Sequence, residues 1–162
     1  MPRAPIALAA FALIAGCGDS TTTSEKKKAP EPPFVATTAN VRKAFEDELG
    51  KDVDGLPRIR AAKCVAGRCM VAYNADEPVF TPEKTILEAQ RPVWKKLFSD
   101  RRFKQATMTA WGETVTKGGK TGQSAVLRIT CDRQANEQIA WDNVDVHGMK
   151  ELCDYQQLVG FD

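Results

Sequence analysis

Residues 58–74 read RIRAAKCVAGRCMVAYN, and this stretch decides the fold because two strand-like runs flank a short connection that contains glycine. The runs 58–64 and 69–74 are separated by four residues, a common length for a hairpin connection. Such a hairpin would place Cys64 opposite Cys69, within reach of a disulfide bond. Closing so small a loop stabilises a fold by about 2 kcal/mol. We therefore predict a β-hairpin held by a covalent bond.

Helical patterns lie on both sides of this hairpin. Before it, a helix is expected to begin at Thr37 or Thr38 and to run to Leu49, followed by Gly50 as a stop. After it, the tripeptide at 81–83 offers a threonine cap, a proline at the first helical position and an acid in the first turn. The second helix would carry a wide apolar face made of Ile86, Leu87, Val93, Trp94, Leu97 and Phe98. Pro92 lies inside this pattern and should kink or split the helix.

The second half of the chain predicts two further strands and two short helical segments. Residues 103–116 and 124–131 alternate in side-chain character and flank a glycine-rich turn at 117–122. Asp132 is placed to cap a short helix through Ile139, and a last helical turn would cover residues 149–153. The predicted order is αββαββα. It indicates an α+β fold with a four-stranded, mostly antiparallel sheet, the long helix packed on one face, and disulfide bonds that staple it.

Length and composition are typical of one globular domain. The chain has 162 residues, of which 43% are hydrophobic and 27% are charged, and this balance excludes a wholly disordered protein. The formal charge of +2 does not demand an anionic partner, although a local basic patch is compatible with it.

The beginning of the chain is typical of a signal peptide. Residues 4–16 form an apolar run of 13, interrupted only by Pro5 and preceded by the basic residue Arg3. A transmembrane helix needs about 20 apolar residues, so this run is too short to span a bilayer. Its length is that of the hydrophobic region of a secretory signal.

The tetrapeptide Ile14-Ala15-Gly16-Cys17 resembles a bacterial lipobox, and the resemblance covers residues 1–19. It implies a lipoprotein signal peptide at residues 1–16 and cleavage before Cys17. The Cys17 thiol would then carry a diacylglyceryl group, and two or three acyl chains such as palmitate would anchor the protein durably in the membrane. The resemblance therefore implies a lipid-anchored protein on the extracytoplasmic face of the cell membrane.

The residues after Cys17 divide into a tether and a domain. Residues 17–33 are rich in serine, threonine, lysine and proline without an apolar periodicity, so we expect a flexible tether. Three consecutive lysines at 26–28 could touch anionic lipid headgroups, although a solubilising role is the more ordinary interpretation. Residues 34–162 would form a single globular α+β domain.

The cysteine count agrees with export. Of five cysteines, lipid on Cys17 leaves four, an even number suited to disulfides in an oxidising compartment. Four cysteines allow three pairings, of which we favour Cys64–Cys69 with Cys131–Cys153.

Motifs for catalysis or cofactor binding are incomplete in this sequence. Residues 119–121 read GKT but lack the earlier glycine of a phosphate-binding loop, so we interpret them as a hairpin turn. His147 is the only histidine, and neither the cysteine spacing nor the acids near Asp142 follow a metal-binding pattern. We therefore expect no cofactor, no metal and no identifiable catalytic residue.

The candidate contacts for a ligand or partner are Trp141, Arg58 and Arg60. Trp141 lies beside polar residues and is expected to be partly exposed, whereas Trp94 and Trp111 are expected in the core. Arg58 and Arg60 would share one strand face. Other cations that could join them in a basic surface for anionic polymer or lipid are Lys63, Arg68, Arg101, Arg102 and Lys104. Nucleic acid is not expected as a partner, because export separates the protein from the nucleic acids of the cell.

These observations favour a non-catalytic binding or interaction domain on a membrane anchor, with an envelope protein or anionic polymer as partner. The alternatives are an envelope-acting enzyme and an exclusion or inhibitor protein. In general form the mature domain also resembles small secreted α+β domains of unknown function in actinobacteria, a likeness that assigns no role to any residue.

Overall fold

The computed structural model describes residues 32–76, 83–115 and 118–159. The predictions for the lipobox, for Cys17, for most of the tether and for the helix start at residues 81–82 lie outside the described residues. The helices are α1 (Thr38–Leu49), α2 (Glu83–Ser99), α3 (Arg133–Gln138) and α4 (Val146–Leu152). The strands are β1 (Asp52–Val53), β2 (Leu56–Pro57), β3 (Ile59–Val65), β4 (Arg68–Asn74), β5 (Gln105–Val115), β6 (Thr121–Asp132) and β7 (Asp154–Gln157).

The main sheet has five strands in the order β3-β4-β5-β6-β7, and β1 pairs with β2 in a separate two-stranded sheet. The α+β class is confirmed, but the four-stranded sheet and its element order are wrong in detail. The sheet is mixed, because β4 and β5 are parallel while the other neighbouring pairs are antiparallel. Helix α2 causes this pairing, since its 17 residues carry the chain back along the sheet before β5 begins.

The central hairpin is confirmed with a tighter turn than expected. β3 and β4 pair antiparallel, with Cys64 opposite Cys69 and Val65 opposite Arg68. Only Ala66 and Gly67 connect them, with φ values of 51° and 78° that a two-residue hairpin turn requires. The turn packs so closely on the segment before β5 that a Cβ atom on Gly67 would lie 2.6 Å from the carbonyl oxygen of Arg102.

Helices α1 and α2 cover one face of the sheet and form the core with it. Phe45, Trp94 and Leu97 are fully buried, and they pack over strand residues such as Val71 and Met108. Thr37 caps α1 by accepting a hydrogen bond from the backbone N–H of Asn40, as the sequence indicates. Helix α2 continues through Pro92 as one element rather than splitting there.

Two disulfide bonds staple the fold, in the pairing expected from the sequence. Cys64–Cys69 crosses the β3–β4 hairpin, and Cys131–Cys153 joins the end of β6 to the residue before β7. The second bond holds an edge strand of only four residues, whose sequence has no strand-like apolar pattern. Covalent closure therefore acts at both ends of the sheet.

A buried core network and a charged clamp fix the helices. The Gln90 side chain, fully buried, donates to the Tyr73 hydroxyl at 2.6 Å and accepts from the Trp94 indole N–H at 3.1 Å.

Asp100, after α2, accepts from the backbone N–H of Ala36 and of Arg102, each at 3.0 Å. These bonds, the one from Ala36 above all, lower the pKa of Asp100 to about 2. The clamp ties the segment before α1 to the loop between α2 and β5.

Candidate functional site

The sheet face opposite α1 and α2 is uncovered by any described element, and we call it the open face. It contains a shallow concavity of about 580 Å³. The floor consists of small or β-branched residues: Ala61, Ala72, Thr107, Thr109 and Thr130. The rim consists of longer side chains: Lys63, Met70, Arg128, Asp154 and Gln156.

Strand register explains why the concavity lies at the middle of the sheet. One row runs across it through Ala61, Ala72, Thr109, Arg128 and Gln156. Its first three positions, on three adjacent strands, carry small side chains, so the surface sinks there. In the next row the hydroxyl oxygens of Thr107 and Thr130 are hydrogen-bonded at 2.9 Å. The floor is thus fixed by cross-strand contacts, while the rim supplies charge of both signs.

Two large apolar side chains lie on the open face, where a sheet face that only meets water usually carries polar residues. Met70 is 65% exposed at the rim of the concavity. Trp111 lies one step along β5 from Thr109 on the same face and is half-buried, so the expectation that it belongs to the core is wrong. The alternate residues Ala106, Met108 and Ala110 supply the buried side of β5 instead.

Arg60 is held against Trp111 by two contacts. Its guanidinium carbon lies 4.2 Å from the centroid of the indole ring, a cation–π distance. Its Nη1 also donates to Oδ1 of Asn74 at 3.0 Å, and Asn74 in turn donates to the carbonyl of Pro57 at 2.7 Å. Arg60 is therefore preorganised at the border of the open face, and its contact with a ligand or partner stays a prediction.

Arg58 has a different environment, because an irregularity in β3 pairing between Ile59 and Ala61 interrupts the strand alternation. Its side chain is only 3% exposed. The guanidinium donates to the Asn74 carbonyl at 2.8 Å and to an Asp76 carboxylate oxygen at 2.6 Å. Because these hydrogen bonds occupy the guanidinium inside the protein, Arg58 has little exposed surface left to contact a ligand.

Trp141 is also more buried than expected, at 8% exposure. Its ring stacks on Trp94 with centroids 5.7 Å apart, and its indole N–H donates to Oδ1 of Asn136 at 2.7 Å. Only an edge of Trp141 borders a shallow depression of about 340 Å³ beside Pro92 and Lys95. A ligand contact at Trp141 stays a prediction, confined to that edge.

The structure divides the cations that the sequence grouped into one basic surface. Arg58 and Arg60 are bound near Asn74, whereas Arg102 and Lys104 line a depression at the hairpin turn of Gly67. Arg68 follows that turn directly and Arg101 precedes Arg102 in the chain. Sequence reasoning missed the threonines, Met70 and Arg128 of the concavity. Their signal was present as polar residues at every second position of β5 and β6, but alternation does not say which side of a strand is covered.

Within the described ranges, no group of three or more histidine, cysteine or acidic side chains is arranged to hold a metal ion. In the same ranges, no helix is both long and apolar enough to cross a bilayer. His147 is exposed and pairs with Glu151 at 3.1 Å, one helical turn away.

Fold and site together define a disulfide-stapled α+β domain with one open, concave sheet face. No known protein family, curated protein or solved structure matches this chain.

Proposed function

We propose that the protein is a lipid-anchored extracytoplasmic lipoprotein whose domain binds a partner on the open face without catalysing a reaction. The observation that carries the binding role is the concavity of about 580 Å³ on a sheet face that no described element covers. Its wide, shallow form suits a segment of an envelope protein or an anionic polymer better than a small molecule, which would be enclosed more completely.

The composition of the open face supports binding over simple solvation. An antiparallel sheet often exposes one polar face to water, so polarity alone would carry no argument. Met70 and Trp111 add apolar and aromatic surface, and both residue types are enriched at protein interfaces. Arg60 and Arg128 add cations that would favour a partner with negative charge.

The anchor is supported by the lipobox-like residues 14–17 and by the four remaining cysteines, which all form disulfide bonds. Disulfides persist in the oxidising compartments that exported proteins enter. Mass spectrometry of the N-terminal peptide from the membrane fraction tests this part. We expect acyl chains on Cys17 and release of a Cys17→Ser variant from membranes. An unmodified Cys17 in membrane-bound protein would contradict the anchor.

The binding role is tested by crosslinking in intact cells followed by recovery of the protein. Ala72→Gln places a neutral, longer side chain in the floor of the concavity. Ala140→Gln makes the same change at an exposed position outside it and is the matched control. We expect Ala72→Gln to reduce recovery of the crosslinked partner about tenfold, equivalent to about 1.4 kcal/mol of binding energy. Equal recovery from both variants, or turnover of cell-wall fragments by the purified protein, would contradict the proposal.

A further inference from the structure

Exposed cations surround the β3–β4 turn at one end of the domain. We call this surface the basic end and define it by the exposed residues Arg68, Arg101, Arg102 and Lys104 with Val65 and Ala66 of the hairpin. Ala66, Arg102 and Lys104 line one depression, Val65 pairs with Arg68 across the hairpin, and Arg101 precedes Arg102 in the chain. The backbone N–H of Lys104 donates to the carbonyl of Gly67 at 2.7 Å, which joins the hairpin to the loop after α2. Two segments distant in sequence thus contribute to one patch.

The basic end has a surplus of positive charge. Its acids are Asp100, which clamps Ala36 and pairs with Arg102 at 3.2 Å, and Asp132, which caps α3. Arg133, whose guanidinium donates to the carbonyls of Asp100 and Phe103, is a fifth cation, so five cations against two carboxylates leave a local charge of +3 (5 − 2). Within the described part of the chain, Arg68, Arg101 and Lys104 have no ion-pair partner. They are free to meet an external anion.

Exposed apolar surface lies among these cations. Val65 is 59% exposed and is the cross-strand neighbour of Arg68. A single exposed valine is ordinary, but apolar side chains ringed by lysine and arginine are typical of surfaces that rest on anionic membranes. A soluble anion would use the cations and leave Val65 without a role.

The chain leading to the proposed anchor leaves the domain at this same end. Val35 and Ala36 border a concavity together with Ala66, Gly67 and Lys104. Residue 32 is the first described residue, and Cys17 lies 15 positions earlier (32 − 17). Fifteen residues span at most about 50 Å, so a lipid on Cys17 would keep the basic end within that distance of the bilayer.

We propose that the basic end docks on the anionic phospholipid surface of the membrane that holds Cys17. This inference rests on the proposed anchor, which would supply a high local concentration and make even weak headgroup binding effective. Docking would fix the orientation of the domain, so that Val65 reaches the headgroup region and the cations contact lipid phosphates.

The test measures binding of residues 18–162, which contain every described element and both disulfides, to vesicles without the lipid anchor. Vesicles of phosphatidylcholine alone are compared with vesicles that also contain phosphatidylglycerol. In the test variant, Arg68, Arg101 and Lys104 are changed to glutamine. The matched control changes Lys51, Lys84 and Lys120 to glutamine, which removes equal charge at the opposite ends of α1, α2 and β5.

We expect binding only to phosphatidylglycerol vesicles, and each cation near the surface contributes about fivefold to the affinity. The test variant should lose about a hundredfold, the control variant less than fivefold, and added salt should weaken binding. Val65→Asn, which adds no charge, should also weaken binding, because a bilayer receives this apolar side chain whereas a soluble phosphate would bind the variant as it binds the wild-type protein.

Equal losses in test and control variants would overturn the proposal, as would binding that is insensitive to Val65→Asn. Near-ultraviolet circular dichroism of each variant separates a lost surface from a lost fold. Acylation of Cys17 is measured independently on cell membranes. The docking surface can therefore fail while the anchor stands, and the anchor can fail while isolated protein still binds the vesicles.

Discussion

Protonation of Asp100 should release the segment that leads to the proposed anchor. Its carboxylate accepts from two backbone N–H groups and pairs with Arg102, which lowers its pKa from an ordinary value near 3.8 to about 2. That difference is equivalent to about 2.4 kcal/mol. Because the Arg102 side chain is largely exposed, we expect the ionised Asp100 to contribute about 1 to 2 kcal/mol to the free energy of unfolding after allowing for solvent screening.

The pH window follows from the direction of the shift. A carboxyl with a lowered pKa in the folded state stabilises the fold fully above its unfolded pKa, near 4, and loses that contribution as pH falls toward 2. Urea unfolding of residues 18–162 and of Asp100→Asn, measured between pH 2 and 6, tests this. The wild-type protein should exceed the variant by about 1 to 2 kcal/mol at pH 6, with the difference shrinking toward zero near pH 2.

Asp142→Asn is the matched control, because Asp142 pairs with Lys95 on an exposed surface. Its unfolding free energy should stay within about 0.5 kcal/mol of the wild-type value at every pH. A constant difference between wild-type and Asp100→Asn across the whole pH range would refute the reasoning. So would a difference that grows as the pH falls.

Three further outcomes are expected. Gly67→Ala should lower the free energy of unfolding by about 2 to 4 kcal/mol, since the new Cβ would collide with a backbone carbonyl. Gly119 has nothing within 4 Å of the position that a Cβ would take, so Gly119→Ala should lower the free energy of unfolding by about 1 kcal/mol, for its positive φ alone. Gln90→Leu should cost about 2 to 4 kcal/mol in urea unfolding because it strands the Tyr73 hydroxyl and a neighbouring indole N–H in the core. The Ala72→Gln variant should bind phosphatidylglycerol vesicles as wild-type protein does, and a changed vesicle affinity would contradict the separation of the two surfaces.

The elements that sequence reasoning predicts well are those whose signals are local. Thr37 and Asp132 cap their helices as expected, because a capping side chain acts within three residues of itself. The Cys64–Cys69 hairpin follows the same logic, since both partners lie within one short stretch. Even there the turn is shorter than predicted. A two-residue turn needs positive φ at both positions, and an alanine at position 66 does not indicate a positive φ in the sequence.

The missed features depend on distant parts of the chain. The parallel pairing of β4 with β5 depends on where α2 delivers the chain. Strand β7 is polar and short, and it forms because β6 offers an unpaired edge beside the Cys131–Cys153 bond. Arg58 is buried because of hydrogen bonds to Asn74 and Asp76, which lie 16 and 18 residues away.

The direction of the strands links the two proposed surfaces. β5 begins at Gln105, next to Arg68 of the basic end, and runs away from it toward Val115. With the basic end on lipid, the strands would rise from the bilayer and the open face would stand beside the domain rather than beneath it. Thr107 and Thr109, in the floor of the concavity, lie two and four residues along β5 from Gln105, which is about 7 to 13 Å. A partner that fills the concavity must therefore come within that distance of the headgroups, and this favours a membrane-associated protein segment or polymer over one that diffuses freely.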